Sequence, residues 1–184
     1  MTLPHPVRLA SLFTALLLLS TPAAPLRAQS VGGSVGPAVP VGALAEDRGV
    51  GLRIAGSLYP RGRLLRVDLA GVIFPGTGDE DRLGPSRGEY RSASLAANLV
   101  PTFRRTEALQ VRGLFGLSVH RLSVPGVPNP YGTVLGTQVG GLLERTGGGR
   151  TLTAEAGIHL IGSDHGLGEL EAALFIPLSI GIRW

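Results

Sequence analysis

Hydrophobic and polar positions alternate along most of this chain. Between 49 and 60, Val50, Leu52, Ile54 and Leu58 share one parity, and Gly51, Arg53, Ala55, Ser57 and Tyr59 the other. In 63–74 the apolar set is Leu65, Val67, Leu69 and Ile73, opposed by Arg66 and Asp68. The stretch 90–103 sets Ala93, Leu95, Ala97, Leu99 and Phe103 against Ser92, Ser94, Ala96, Asn98 and Thr102. In 108–121, Leu109, Val111, Phe115, Leu117 and Val119 oppose Gln110, Arg112, Gly116, Ser118 and His120. Leu135, Val139 and Leu143 oppose Gly136, Gln138, Gly140 and Glu144 in 131–145. Leu152, Ala154, Ala156, Ile158 and Leu160 oppose Thr153, Glu155, Gly157 and His159 in 150–162. In 170–184, Leu174, Ile176, Leu178, Ile180, Ile182 and Trp184 oppose Phe175, Ser179, Gly181 and Arg183. A weaker segment, 30–40, has Val31, Val35 and Val39 on its apolar side. Side chains of a strand point alternately to its two faces, so this pattern predicts eight strands, each with one apolar and one polar surface.

The links between these segments alternate too. Gaps at 41–48, 75–89, 122–129 and 163–168 are longer and contain Gly, Pro, Asp and Asn, the usual turn formers. Tight links lie at 60–62, 104–107 and 146–149. An even number of antiparallel strands joined by long and short connections in turn predicts an all-β protein: an eight-stranded antiparallel up-and-down transmembrane β-barrel. Both termini fall at the short-turn end.

Composition bears on which face is outside. The chain has 184 residues, 43% hydrophobic and 16% charged, where about 25% charged is usual for a soluble domain. The alternative, a soluble periplasmic lipocalin-like ligand binder, would turn its aliphatics inward. Here the polar faces are rich in Gly, Ala and Ser, which suits the cramped interior of an eight-strand barrel. They also carry charges of both signs, which can pair inside a barrel. The expected lumenal polar network comprises Arg53, Arg66, Asp68, Arg112, Gln138, Glu144, Glu155, His159 and Arg183. Aromatic residues make up 5% of the chain, so an interfacial girdle would be sparse: Trp184, Phe103, Phe115, Tyr90 and Tyr131.

Residues 1–28 read as a secretory signal peptide, with His5 and Arg8 before the apolar run 9–20 and a cleavage point after Ala28. That run is too short for a transmembrane helix. Residues 29–184 then form the barrel domain. All 17 basic residues are Arg, and once Arg8 and Arg27 leave with the signal, basic and acidic residues nearly balance. Nucleic acid is therefore not an expected partner. There is no Cys, which excludes disulfides, thiolate metal sites and a cysteine nucleophile.

The ending IPLSIGIRW, with Leu178, Ile180, Ile182 and Trp184 alternating, resembles the C-terminal signal read by the outer-membrane barrel-assembly machinery. Residues 30–60 look like the first hairpin of the OmpX/OmpW-like superfamily of small outer-membrane β-barrels. That resemblance implies a monomeric protein in the outer membrane of a diderm bacterium. Its partners would be outer-membrane lipids, lipopolysaccharide and the assembly machinery. It implies a structural or surface-interaction role without a wide pore, or else a narrow path for small apolar molecules, for which lumenal Gly136 and Gly140 leave room.

Candidate chemistry is thin. Ser118 and His120 share a polar face, as do Glu155 and His159. A barrel enzyme acting on lipid needs its Ser/His pair on the outer surface, and these point inward. Ser118 and His120 are also about 7 Å apart by strand rise, which reads as too far for a nucleophile–base bond. The acidic run in 76–84 lacks the oxygen spacing of an EF-hand, and His165 stands alone. The expectation is no enzyme, with a lipid-modifying barrel enzyme as the alternative, and no metal or cofactor.

Overall fold

The computed structural model describes residues 30–60, 64–76, 89–123, 131–162 and 173–184. The expected signal peptide, most of loop 75–89 with its acids Asp79, Glu80 and Asp81, and His165 lie outside these residues. Nine strand segments are present among the described residues: β1 Ser30–Val41, β2 Gly51–Tyr59, β3 Leu65–Phe74, β4 Tyr90–Leu99, β5 Thr102–Arg105, β6 Leu109–Ser123, β7 Tyr131–Gly147, β8 Arg150–Ile161 and β9 Ala173–Arg183. All pairings are antiparallel. The sheet runs β4-β3-β2-β1-β9-β8-β7-β6-β5 and closes through β4–β6. Because β5 only prolongs the β4 side of the wall, the barrel has eight staves. The weak first segment is β1, and it closes the ring against β9, with Val31 and Trp184 exchanging backbone hydrogen bonds at 3.0 Å.

The segment 90–103, read as one strand, is broken in two. Pro101 has no N–H to give the ladder. At this point the Val100 N–H donates to Leu64 O (2.6 Å), the Gly113 N–H donates to Pro101 O (2.9 Å), and the register slips between Thr102 and Arg104. The link 146–149 closes as a two-residue hairpin turn. Gly148 and Gly149 both have positive φ, 58° and 76°, as a turn matched to strand twist requires. Loop 41–48 contains a short helix, α1 (Ala43–Asp47).

The apolar parity faces outward on every strand. Leu69, Leu117, Leu135 and Ile180 are 66–74% exposed. This outer wall has a charge-free band. Arg91 and Arg121 stand at its loop end, and Arg104, Arg145 and Arg150 at its turn end. Among the described residues no outward position between them is ionisable. The steps from Val111 to Arg121 on β6 cover about 34 Å along the strand. That is about 25 Å along the axis of a barrel with strands tilted about 45°, the height of an outer-membrane apolar belt. Among the described residues no helix is long and apolar enough to cross a membrane, which says nothing of the strands. Closure of the ring pairs the backbone without an exposed edge, which hydrocarbon demands.

The lumen is not polar throughout, as the alternation suggested. At the loop end Ala38, Val72, Phe74, Tyr90, Leu122, Val134, Ile161, Ala173 and Phe175 form a buried apolar plug, against which Leu44 of α1 packs. Phe74 meets Phe175 edge-on at 5.5 Å and Tyr90 at 5.9 Å. Tyr90, expected in the girdle, is therefore inside: its even position on β4 shares the parity of Ser92 and Asn98, and its ring is 1% exposed. Phe103, Phe115 and Trp184 do face outward.

Placing a charge in the middle of the outer wall tests this arrangement. Leu117→Arg should cost about 2–4 kcal/mol of stability in a bilayer, read by denaturant unfolding from lipid vesicles. An unchanged midpoint would mean that this face does not meet lipid.

Candidate functional site

The polar residues of the lumen stack in layers beneath the plug. Nearest the turns, Glu144 is fully buried and receives two arginines. Arg183 Nη2 donates to Glu144 Oε2 at 3.2 Å, and Arg112 Nη1 lies 3.4 Å from Glu144 Oε1. The Arg183 guanidinium also stacks on the Tyr59 ring, 4.6 Å from its centroid. The break at Pro101 contributes here: it leaves Val100 O facing the lumen, where it accepts from Arg112 Nη2 at 2.7 Å.

The next layer centres on Arg66. Its Nε donates to both Asp68 oxygens at 2.8 Å, and its Nη2 to Glu155 Oε2 at 2.7 Å. Asp68 also accepts from Ser57 Oγ at 2.5 Å and from Asn98 Nδ2 at 2.7 Å. Asn98 in turn accepts from Gln138 Nε2. Arg53 reaches Glu155 Oε1 at 3.7 Å. Its Nε and the Ser179 hydroxyl have no hydrogen-bond partner among the described residues. Arg53, Arg66, Arg112 and Arg183 thus share Asp68, Glu144 and Glu155 in an interior where all seven are buried.

Above Arg53 lies a histidine layer. His120 Nε2 is hydrogen-bonded to Ser118 Oγ at 2.8 Å, and His120 Nδ1 to Ser92 Oγ at 3.0 Å. A neutral imidazole donates from one nitrogen and accepts at the other, so the ring bridges the two serines. The expectation that Ser118 and His120 stand too far apart is therefore wrong. The 7 Å of strand rise separates their α-carbons, whereas the imidazole leans along the sheet and spans that gap. It can do so because Gly136, paired with Ser118 on β7, has no side chain: a Cβ there would sit 2.8 Å from both His120 Nε2 and Ser118 Oγ. Gly116 likewise makes space for the Asn98 amide. Gly136 and Gly116 thus give their space to neighbouring side chains, whereas a Cβ at Gly140 would meet the backbone of Ala156 and Gly157. His159 packs its ring against Phe175, 4.9 Å between centroids, at the base of the plug.

All nine residues expected in the lumenal network are buried there. They occupy separate layers: Arg112, Glu144 and Arg183 in one, Arg53, Arg66, Asp68, Gln138 and Glu155 in the next, and His159 above. Sequence reasoning named neither Asn98 as the link between Asp68 and Gln138 nor Tyr59 as the platform under Arg183, although both sit at lumenal parity. The C-terminal residues Leu178, Ile180 and Trp184 point outward from β9, and Ile182 is half-buried among them. Among the described residues no cluster of side chains has the make-up of a metal site. A gap of about 10 Å³ beside Tyr59, Arg66 and Arg183 has room for one water at most.

Comparison with solved structures places this architecture. The crystal structure of Neisserial surface protein A superposes with a TM-score of 0.61 at 18% identity, over 84% of this chain and 95% of that one. The chain has the fold of a small outer-membrane β-barrel. A major outer membrane protein from Thermus thermophilus matches with a TM-score of 0.50 at 14% identity, over 85% of this chain and 100% of that one. No family profile matches the sequence, and no curated protein does.

The Arg66–Glu155 layer should be sensitive to loss of either sign. Glu155→Ala leaves Arg66 and Arg53 short of a carboxylate in the buried lumen and should destabilise the barrel by about 3–5 kcal/mol. Urea unfolding of the refolded protein checks this, and a shift below about 1 kcal/mol would show that water or the other carboxylates compensate.

Proposed function

We propose that this protein is an exported, monomeric outer-membrane barrel of a diderm bacterium with a structural or surface-interaction role. Its working surfaces are the long loops 41–48, 75–89 and 122–129. The observation that carries this reading is the filled lumen. Layered ion pairs and an apolar plug occupy it from the turn end to the loop end, so the surfaces left for contact are the loops and the outer wall. Eight strands also leave no width for an aqueous pore. The helix α1 supports a presenting role, because Leu44 anchors the first loop to the plug.

In this reading the signal at 1–28 directs export, with cleavage after Ala28. The outward row Leu178, Ile180, Ile182 and Trp184 on the last strand is the segment that the assembly machinery would engage. No enzymatic step is involved: the one Ser/His cluster among the described residues, Ser92–His120–Ser118, is sealed under the plug, away from any lipid chain. The rival reading, a narrow channel for small apolar molecules, requires a lumenal path that the plug and the histidine layer occupy.

Two measurements test the proposal. In planar bilayers the refolded mature protein should give no resolvable conductance steps; steady steps would favour transport. Cells displaying the intact protein should bind a glycan and matrix-protein array more than cells displaying the barrel with 77–88 and 124–130 cut to short turns. Equal binding by both would remove the loops from the role.

A further inference from the structure

The ladders of the wall are not equally complete. Among the described residues, those joining β1 to β2, β2 to β3, β3 to β4, β4 to β6, β6 to β7 and β7 to β8 pair residue by residue without a gap. Both ladders of β9 are interrupted. Against β1 the pairing runs from Gly32–Arg183 to Val35–Ile180 and resumes at Ala38–Pro177, so Gly36–Ser179 and Pro37–Leu178 are skipped. Against β8 it runs from Thr151–Arg183 to Ala156–Leu178 and resumes at His159–Phe175, so Gly157–Pro177 and Ile158–Ile176 are skipped. The two gaps meet on Ile176, Pro177, Leu178 and Ser179, in the middle of the last strand.

Proline chemistry accounts for both. Val31 and Trp184 exchange backbone bonds, and successive residues of an antiparallel strand bond alternately to its two neighbours. Pro37 therefore turns its nitrogen toward Leu178 of β9, and Pro177 turns its nitrogen toward Gly157 of β8. Neither nitrogen carries a hydrogen. Leu178 O and Gly157 O thus lack the donors that the ladders would have given them, on opposite sides of β9. Leu178 O crowds the lumenal side of Gly36, where a Cβ would collide with it. The break at Pro101 is handled differently, because Arg112 caps the freed Val100 O. The arginine in the Pro37 region, Arg53, is paired with Gly36 on β2 and reaches toward Glu155 instead, at 3.7 Å. Its Nε and Nη1 make no hydrogen bond, and neither does the Ser179 hydroxyl.

A missing backbone bond weighs most where no water can replace it, and Leu178 faces the apolar band. Local opening begins where such bonds are fewest. We propose that β9 is the strand at which the closed wall opens: Ile176–Ser179 parts from β8 and β1 while the other seams stay shut. Opening there uncovers Ser179 and its register partner Glu155 on the lumenal side. The proposal concerns the wall alone, so it stands or falls separately from the role of the loops.

The wild-type protein tests this without any substitution. Refolded mature protein in phospholipid nanodiscs is followed by amide hydrogen exchange, read residue by residue by NMR. The amides of Ile176, Leu178 and Ser179 keep carbonyl partners on β1 or β8. They should nevertheless exchange at least tenfold faster than those of Leu95 and Leu117, which lie mid-strand in unbroken ladders. Pro37→Val with Pro177→Val supplies both missing donors. It should slow the three β9 amides at least fivefold and leave Leu95 and Leu117 unchanged, once the variant is shown to keep the heat-dependent gel shift of a folded barrel. Equal exchange across the wild-type wall would overturn the proposal. So would unchanged β9 exchange in the folded double variant, or slowing spread evenly over all strands, which would reflect global stability instead of a local opening.

Discussion

Closure of the hydrogen-bonded ring is the constraint on which everything else in this molecule depends. Strands in hydrocarbon cannot leave an edge unpaired, because each bare N–H or C=O would cost several kcal/mol. The first and last strands therefore have to meet, and they do, through the Val31–Trp184 exchange and the register from Gly32–Arg183 to Val41–Leu174. With eight staves the closed ring is narrow. A narrow ring whose outer face carries an apolar band must take the charges at mid-strand inward and leave the outward ones to its rims.

That requirement shapes the lumen. The four buried arginines of β2, β3, β6 and β9 would be untenable alone, and three carboxylates from β3, β7 and β8 are placed to meet them. Such pairs contribute little net stability, since desolvation offsets most of the attraction. Their effect is on register. A one-residue slip would send Glu144 or Arg66 into lipid and leave its partners stranded. The same logic explains the small residues opposite large ones: Gly136 opposite Ser118 yields its space to the His120 ring, and Gly116 opposite Asn98 does so for the amide.

The barrel has two unlike ends. Toward the turns the lumen is ionic, and the outer rim carries Arg104, Arg145 and Arg150. Toward the loops the lumen is aromatic and apolar, α1 leans on it, and the rim carries Arg91 and Arg121. A filled interior with a differentiated outward end leaves the loops and the wall as the surfaces through which the protein meets its surroundings.

The alternation of apolar and polar residues, a local property, determined by itself the number of staves, the all-β fold and the parity that faces the lumen. Parity depends only on a residue's place in its own strand, so Arg53, Glu144 and His159 were legible as interior before any fold was known. Tyr90 was misread because aromatic type was allowed to outweigh its parity, and the break at Pro101 was missed although proline was visible. What only the tertiary structure decided was which interior residues meet. Arg66 and Glu155 are 89 positions apart, Asn98 and Gln138 are 40 apart, and Arg91 and Arg121 become neighbours only when β4 pairs with β6. Those meetings depend on the stagger of the closed ring, which is set by all eight strands together and by the volume each side chain finds left to it. No local pattern carries that information, and it is there that the ion-pair layers and the histidine bridge arise.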